Sequence, residues 1–214
     1  MKDLVIIGAG GFGREASLLV DEINNYSSKN RGYNLLGFID EDQSKWKQVF
    51  RGYPVLGGWE ALKELPPDVN VICVVSNPDS KKKLVKRAEE FNRSFATLVH
   101  PLVELVGDVE VGSGVLINKG NLLTINIKIG DHVSINPGCG IGHDVIIGNY
   151  TTLMWRVNIS GNVKLGESCL LGSGSTILQG KKIGNNSIIG AGTVVIKDLP
   201  PECTAAGVPA KIIN

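Results

Sequence analysis

The sequence predicts a chain in two parts: an α/β N-terminal domain over residues 1–98, then an all-β coil of short parallel strands over residues 99–214. Three observations predict it. Strand-like and helix-like segments alternate in the first half. A G-x-G-x-x-G run, Gly8 to Gly13, falls between the first strand and the first helix. From Val99 to Val195 an aliphatic residue recurs at every sixth position, seventeen in all without a miss.

The first strand is read in "LVIIG", a continuous apolar run of the kind found in parallel strands buried on both faces. Ala16, Leu19, Val20 and Ile23 follow at helical spacing, "NLLGFID" reads as a second strand and "VNVICVVSN" as a third. This is the grammar of a Rossmann-like domain. A further helix is predicted from about Asp79 behind Pro78, with Leu84, Val85, Ala88 and Phe91 inward. Its Lys81, Lys82, Lys83, Lys86 and Arg87 are expected to form a solvated face.

In the loop Gly8, Gly10, Gly11, Phe12 and Gly13, backbone amides and a helix N-terminus favour phosphate. Taken alone the motif suggests NAD. Fewer than a hundred residues, however, leave room for only one mononucleotide-type half, and a dinucleotide fold uses two. A nucleotide-linked sugar is the better expectation, and glycines needed only for strand–helix packing are the alternative.

In the second half, the residue four places after most of the hexad aliphatics is small or β-branched, as in Val115, Val133, Cys139, Val145, Thr151, Val157 and Cys169. These are expected to point inward too. Glycine often follows the aliphatic residue directly (Gly112, Gly130, Gly142, Gly148, Gly166, Gly172, Gly184, Gly190), and a turn with unusual backbone angles is the expected reason. Three hexads make one turn of a triangular coil. Coils stacked at roughly 4.8 Å through parallel pairing give a prism about 24 Å tall that is stable only as a stack. Periodicity does not set the hand of the coil, because parallel crossovers are normally right-handed.

Composition narrows the function. Charges nearly cancel, with 22 Lys+Arg against 21 Asp+Glu, so no global field recruits nucleic acid or an anionic membrane. The apolar run at the start of "MKDLVIIGAGGFGRE" is too short for a signal peptide or a membrane span. Cys73, Cys139, Cys169 and Cys203 form no CxxC, which points to free thiols in a reducing cytosol.

The hexad array, "GCGIGHDVIIGNY", "IGAGTVVIKDLP" and the closing "GVPAKI" resemble the hexapeptide-repeat acyltransferases. Together with "GAGGFGRE", "GFIDED", "GYPVLGG" and "ATLVHP", they are similar to one branch of sugar acetyltransferases. That branch is related to the sialic acid O-acetyltransferases and to bacterial nucleotide-amino-sugar N-acetyltransferases such as the bacillosamine-pathway enzyme. The resemblance implies a left-handed parallel β-helix, a homotrimer with intersubunit sites and acetyl-CoA as cosubstrate; the three scattered histidines supply no convincing ligand set, so no metal is expected. The resemblance also implies that the glycine loop contacts the nucleotide-sugar, that Asp40 and Glu41 contact its base or ribose, and that Ser76 and Asn77 lie close by.

Acetyl transfer from a thioester needs a base for the attacking amine or hydroxyl, and histidine is suited to that at neutral pH. Of His100, His132 and His143, the first two are expected to be structural or solvent-facing. His143 holds a turn position two after inward Ile141, and the resemblance makes the following Asp144 the carboxylate that orients it. Counting three hexads on from His143 reaches Gly161, whose amide is expected to approach a small ligand and stabilise the oxyanion, as the resemblance also implies. Thr152 stands where relatives often carry a second, coenzyme-contacting histidine. Trp155 and Arg156, in a stretch that is usually small, are expected near the site. Ser173 and Lys182 align with coenzyme-contacting positions, and Lys197 and Lys211 are candidates for its phosphates. The expected function is a cytoplasmic, acetyl-CoA-dependent transfer to the amino group of a nucleotide-linked amino sugar. O-acetylation of sialic acid or a related sugar is the alternative enzyme, and a nucleotide-sugar-binding trimeric scaffold the non-enzymatic one.

Overall fold

The computed structural model describes residues 1–26, 32–106 and 108–214. It divides into two compact units, Met1–Leu98 and Val99–Asn214.

The first unit is built on β1 (Lys2–Ile7), α1 (Gly11–Tyr26), β2 (Tyr33–Ile39), β3 (Val49–Phe50), β4 (Tyr53–Gly57), α2 (Trp59–Glu64), β5 (Asn70–Cys73) and α3 (Pro78–Glu89). The sheet order is β3-β4-β2-β1-β5, parallel except for the β3–β4 hairpin. Arg51 and Gly52 turn that hairpin with φ of 55° and 87°, the left-handed pair that a two-residue turn between twisted strands requires. The apolar residues read for α1 are its buried ones, Ala16, Leu19, Val20 and Ile23. The chain runs from β1 outward through β2 and β4, then returns to the other side of β1 as β5. This reversal opens a crevice at the carboxyl ends of β1 and β5.

In α3, Asn77 caps the first turn by accepting the Ser80 amide at 2.9 Å, with Pro78 in the first helical position. Val85 and Ala88 face inward as expected, Leu84 is half-buried, and Phe91 lies beyond the helix, stacked on Trp59 at 5.7 Å. Lys82, Lys83, Lys86 and Arg87 form the expected exposed face, and Lys81 alone departs from that reading. Lys81 is 0% exposed, because position 81 lies three after Pro78 and four before Val85, on the same stripe. Loss of solvent pulls its amine down to about 7.

The second unit is a left-handed parallel β-helix. One face carries Val109–Val111, Ile127–Ile129, Ile146–Ile147, Lys164–Leu165 and Lys182–Ile183. The second carries Leu116–Ile117, Ser134–Ile135, Thr152–Leu153, Leu170–Leu171 and Ile188–Ile189, and the third Leu122–Leu123, Gly140–Ile141, Asn158–Ile159, Thr176–Ile177 and Val194–Val195. Ser134 pairs with Thr152 and Thr152 with Leu170, so each coil takes three hexads. The period shortens at the top, where Ile189 pairs with Ala205. The hexad aliphatics and the residues four beyond them, such as Val133, Val145, Val157 and Ser175, form the buried interior. Leu105 does not join it: it is 40% exposed in a stretch without strand, ahead of the first complete coil.

The glycines that follow the aliphatics have a different cause from the one expected. None has a positive φ. The left-handed residue stands three after the aliphatic instead, as in Gly114, Asn126, His132, Asp144, Asn162 and Gly180. The preceding glycines are there because the coils approach closely: a Cβ on Gly148 would lie 2.5 Å from the carbonyl carbon of Gly166. All four cysteines are buried and free. Among the described residues no helix is long and apolar enough to cross a membrane.

Candidate active site

The turn from the third face to the first is where the chemistry concentrates. Here the chain leaves Ile141, turns through Gly142, His143 and Asp144, and re-enters the core at Val145. Asp144 takes the left-handed conformation at φ 61°, which aspartate tolerates better than most residues. His143 Nδ1–H donates to Asp144 Oδ2 at 2.7 Å. Asp144 Oδ1 accepts from Asn126 Nδ2, one coil below. These two bonds, from His143 first and Asn126 second, hold the Asp144 carboxyl below its usual range. The carboxylate is therefore ionised at neutral pH and can only accept, which assigns the imidazole proton to Nδ1 and leaves Nε2 with a free lone pair. Nε2 makes no hydrogen bond to any described residue, and the histidine side chain is 49% exposed.

One coil above, Gly161 seats this ring. A Cβ on Gly161 would lie 2.4 Å from His143 Nε2 and 2.6 Å from Cε1. The imidazole therefore fills the space left by the missing side chain, and Gly161 is buried. The Gly161 amide makes no hydrogen bond among the described residues. His100 and His132 are buried and belong to the scaffold, His100 accepting the Leu102 amide and His132 stacking on Tyr150.

The other residues expected at the coenzyme occupy different regions of the one chain. Ser173 is exposed at the turn from the second face to the third, and Lys182 is exposed on the first face. Lys197 follows the top coil and Lys211 lies in the terminal strand, both exposed. Thr152 is corrected: it is 0% exposed within the second face, so its hydroxyl meets no coenzyme at the surface. Trp155 and Arg156 stand at the second-to-third turn, one corner away from His143 within the one chain and one coil below Ser173, with Trp155 45% exposed and Arg156 left-handed at φ 56°. Asn126 escaped the sequence reading, although stepping back three hexads from Asp144 would have found it.

In the first unit the glycines divide by cause. Gly8 has φ 110°, and a Cβ on Gly13 would lie 1.8 Å from the Gly8 carbonyl oxygen, so these two serve the backbone and strand–helix packing. A Cβ on Gly10 or Gly11 would meet nothing within 4 Å, so neither glycine is explained by packing. Phe12 beside them is half-exposed. Asp40 is occupied by its own chain: Oδ2 accepts the Ala9 amide at 2.8 Å and Lys45 Nζ at 3.0 Å, and Oδ1 accepts the Asp42 amide. It therefore holds the glycine loop while lining the crevice. Glu41 Oε1 accepts from Trp59 Nε1 at 2.7 Å. Glu41, Asp40, Gly8, Ile39, Trp59 and Val75 line a cavity of about 170 Å³. Ser76 and Asn77 follow β5 at the crevice, where Asn77 is engaged as the helix cap.

Comparison with known proteins places this arrangement. Residues 3–88 match the PglD N-terminal domain, and residues 126–154 and 162–197 match the bacterial transferase hexapeptide (six repeats). Over 121 residues, 55% of this chain, the sequence is 33% identical to UDP-N-acetylbacillosamine N-acetyltransferase of Bacillus subtilis (strain 168), a match spanning 51% of that protein's length. PerB from Caulobacter crescentus, solved in complex with CoA and GDP-perosamine, is 28% identical with a TM-score of 0.87, over 100% of this chain and 98% of that one. A histidine-to-alanine variant of GDP-perosamine N-acetyl transferase from the same organism, also solved with CoA and GDP-perosamine, is 27% identical with a TM-score of 0.80, over 100% of this chain and 98% of that one. WeeI from Acinetobacter baumannii AYE is 29% identical with a TM-score of 0.87, each chain covered over 100%. The chain thus pairs a segment similar to the PglD N-terminal domain with coils of three hexads similar to the bacterial transferase hexapeptide, and it shares its fold along its whole length with PerB.

Proposed function

We propose that the chain is an acetyl-CoA-dependent N-acetyltransferase of a nucleotide-linked amino sugar, working in the cytoplasm as a homotrimer with its sites between subunits. The observation that carries this reading is the imidazole of His143: its Nδ1 is bonded to Asp144 at 2.7 Å and its Nε2 is free. That is the arrangement of a general base whose tautomer is set by a neighbouring carboxylate. The names of the relatives supply the chemistry: an N-acetyltransferase of the bacillosamine type, and a protein solved with CoA and GDP-perosamine.

In this reading the amine nitrogen of the sugar attacks the acetyl carbonyl carbon, and His143 Nε2 takes the proton that the nitrogen loses as the C–N bond forms. The C–S bond then breaks, and the leaving thiolate takes that proton, giving the N-acetyl sugar and free CoA. The Gly161 amide, beside the imidazole, is the donor assigned to the oxyanion. Ser173 and Lys182 contact the coenzyme from a neighbouring subunit, which accounts for their distance along the chain from His143. The glycine loop takes the phosphates. The cavity beside Glu41, about 170 Å³, takes the base or ribose, since about 150 Å³ already holds one benzene ring.

The test is a coenzyme-release assay over a panel of nucleotide-linked amino sugars and free sialic acids, with light scattering on the same sample. Turnover with an amine-bearing nucleotide sugar by a trimer is expected. Release only with free sialic acid, or only with hydroxyl acceptors, would replace N- by O-acetylation, and nucleotide-sugar binding without release would leave a scaffold.

A further inference from the structure

We propose that Asn126 is a positioning residue for the acetyl-transfer base: its side-chain amide fixes the Asp144 carboxylate so that Oδ2 faces His143 Nδ1. The proposal rests on the reading of His143 as that base. It begins from the exposure of the pair. The His143 and Asp144 side chains are 49% and 41% exposed, and Gly161 backs the imidazole, so the orientation of the carboxylate rests on its hydrogen bonds. A terminal carboxylate torsion is broad and nearly two-fold, so an exposed aspartate held by one bond is free to turn.

Three bonds remove that freedom. The Asp144 amide donates to the Ile125 carbonyl at 3.2 Å, which locks the two turns together in register. The His143 ring holds Oδ2 at 2.7 Å. Asn126 Nδ2 holds Oδ1. The result is a relay of three side chains on two stacked turns, amide to carboxylate to imidazole, ending at the free Nε2. Asn126 and Asp144 occupy the same left-handed position of successive coils, with φ of 57° and 61°. The spacing of the coils, roughly 4.8 Å, is what lets one short side chain reach the next.

A left-handed position favours asparagine on conformational grounds alone, so the test has to separate that cause from positioning. Asn126→Gly keeps the backbone conformation and deletes the amide. Asn126→Asp keeps the shape and turns the donor into a second carboxylate. Asn186→Gly removes an asparagine of the same conformation, φ 57°, from a different corner, and serves as the control.

Steady-state kinetics against pH and ¹⁵N spectra of the three histidine rings would be recorded for each folded variant. Asn126→Gly is expected to lower kcat about three- to tenfold with little change in the acceptor KM, and to move the His143 ring signals toward a mixture of tautomers. Asn126→Asp is expected to shift the acid limb of kcat/KM to higher pH, since the added negative charge favours the protonated imidazole. Asn186→Gly is expected to match the parent. Parent-like kcat, pH profile and ring signals in both Asn126 variants would overturn the proposal while His143→Ala still abolished turnover. Near-normal turnover in His143→Ala would overturn the base itself and the catalytic part of the proposal with it; the ring signals would still show whether Asn126 governs the tautomer.

Discussion

Placing one methyl group on Gly161 should disable the site without harming the fold. An ideal Cβ there falls 2.4 Å from His143 Nε2, 2.6 Å from Cε1 and 2.9 Å from Cδ2, where ordinary contact begins at 3.4 Å. The ring must therefore retreat by about 1 Å. The backbone of Gly161 is outside the left-handed region, so alanine is conformationally allowed and the perturbation falls on the imidazole alone. A misplacement of about 1 Å in a reacting group costs about a hundredfold in rate, close to 2.7 kcal/mol of transition-state stabilisation. Stability should hold, because Gly→Ala at a compatible site adds about 0.4–1 kcal/mol through the unfolded chain. Turnover can be followed by thiol release, to which the four buried cysteines contribute little background. The companion variant is Gly184→Ala, whose Cβ would lie 2.2 Å from the backbone nitrogen of Pro201, a neighbour that cannot swing away. Gly161→Ala is expected to lose rate and keep its Tm; Gly184→Ala is expected to lose Tm. Parent-like kcat/KM in a folded Gly161→Ala protein would refute the placement of the ring.

His143→Ala should lower turnover by about 10² to 10⁴ with the parent's oligomeric state unchanged, as measured by the same assay and by light scattering. Gly10→Val should raise the KM for the nucleotide sugar far more than that for acetyl-CoA and leave the melting curve unchanged, because its side chain enters open space. Gly13→Ala should instead destabilise the first unit, its Cβ falling 1.8 Å from the Gly8 carbonyl oxygen, and calorimetry on the pair would separate binding from packing. Lys81 gives a pH signature. Its amine titrates at about 7 when folded and near the ordinary 10.5 when unfolded, so between those values the unfolded chain binds the extra proton. Stability should therefore rise with pH from about 7 toward 10. Lys81→Met should flatten that slope in melting curves taken across the range, and an identical slope in both proteins would remove Lys81 as its source.

Sequence alone determined the elements whose signal is periodic. A side chain every sixth residue, seventeen times over, specifies a coil of three hexads because no other regular backbone returns to one face with that period. The stripe of α1 and the glycine loop before it were legible for the same reason, since both depend on spacing along the chain. The β3–β4 hairpin was not read, because Arg51-Gly52 lacks the asparagine or aspartate that usually announces such a turn. His143 stood out as a turn histidine by its spacing, and its pairing with Asp144 was expected from the resemblance.

What only the tertiary structure decided depends on neighbours that folding, not chain order, brings together. Counting coils placed Gly161 at the level of His143; that its missing side chain seats the imidazole was decided by coil stacking, which places the ring of one turn over the backbone of the next. The hexad glycines were assigned to turn angles and belong to coil contact, since a close approach is a property of two segments and leaves no mark on either one's spacing. Lys81 was assigned to solvent by its charge, and Thr152 to a ligand by its alignment; both are fully buried. Asp40 was read only as a ligand contact, and folding also sets its carboxylate to accept from Ala9, Asp42 and Lys45. Chemistry at a site is set by which polar atoms remain free after the chain has satisfied its own, and that count exists only once the chain has folded.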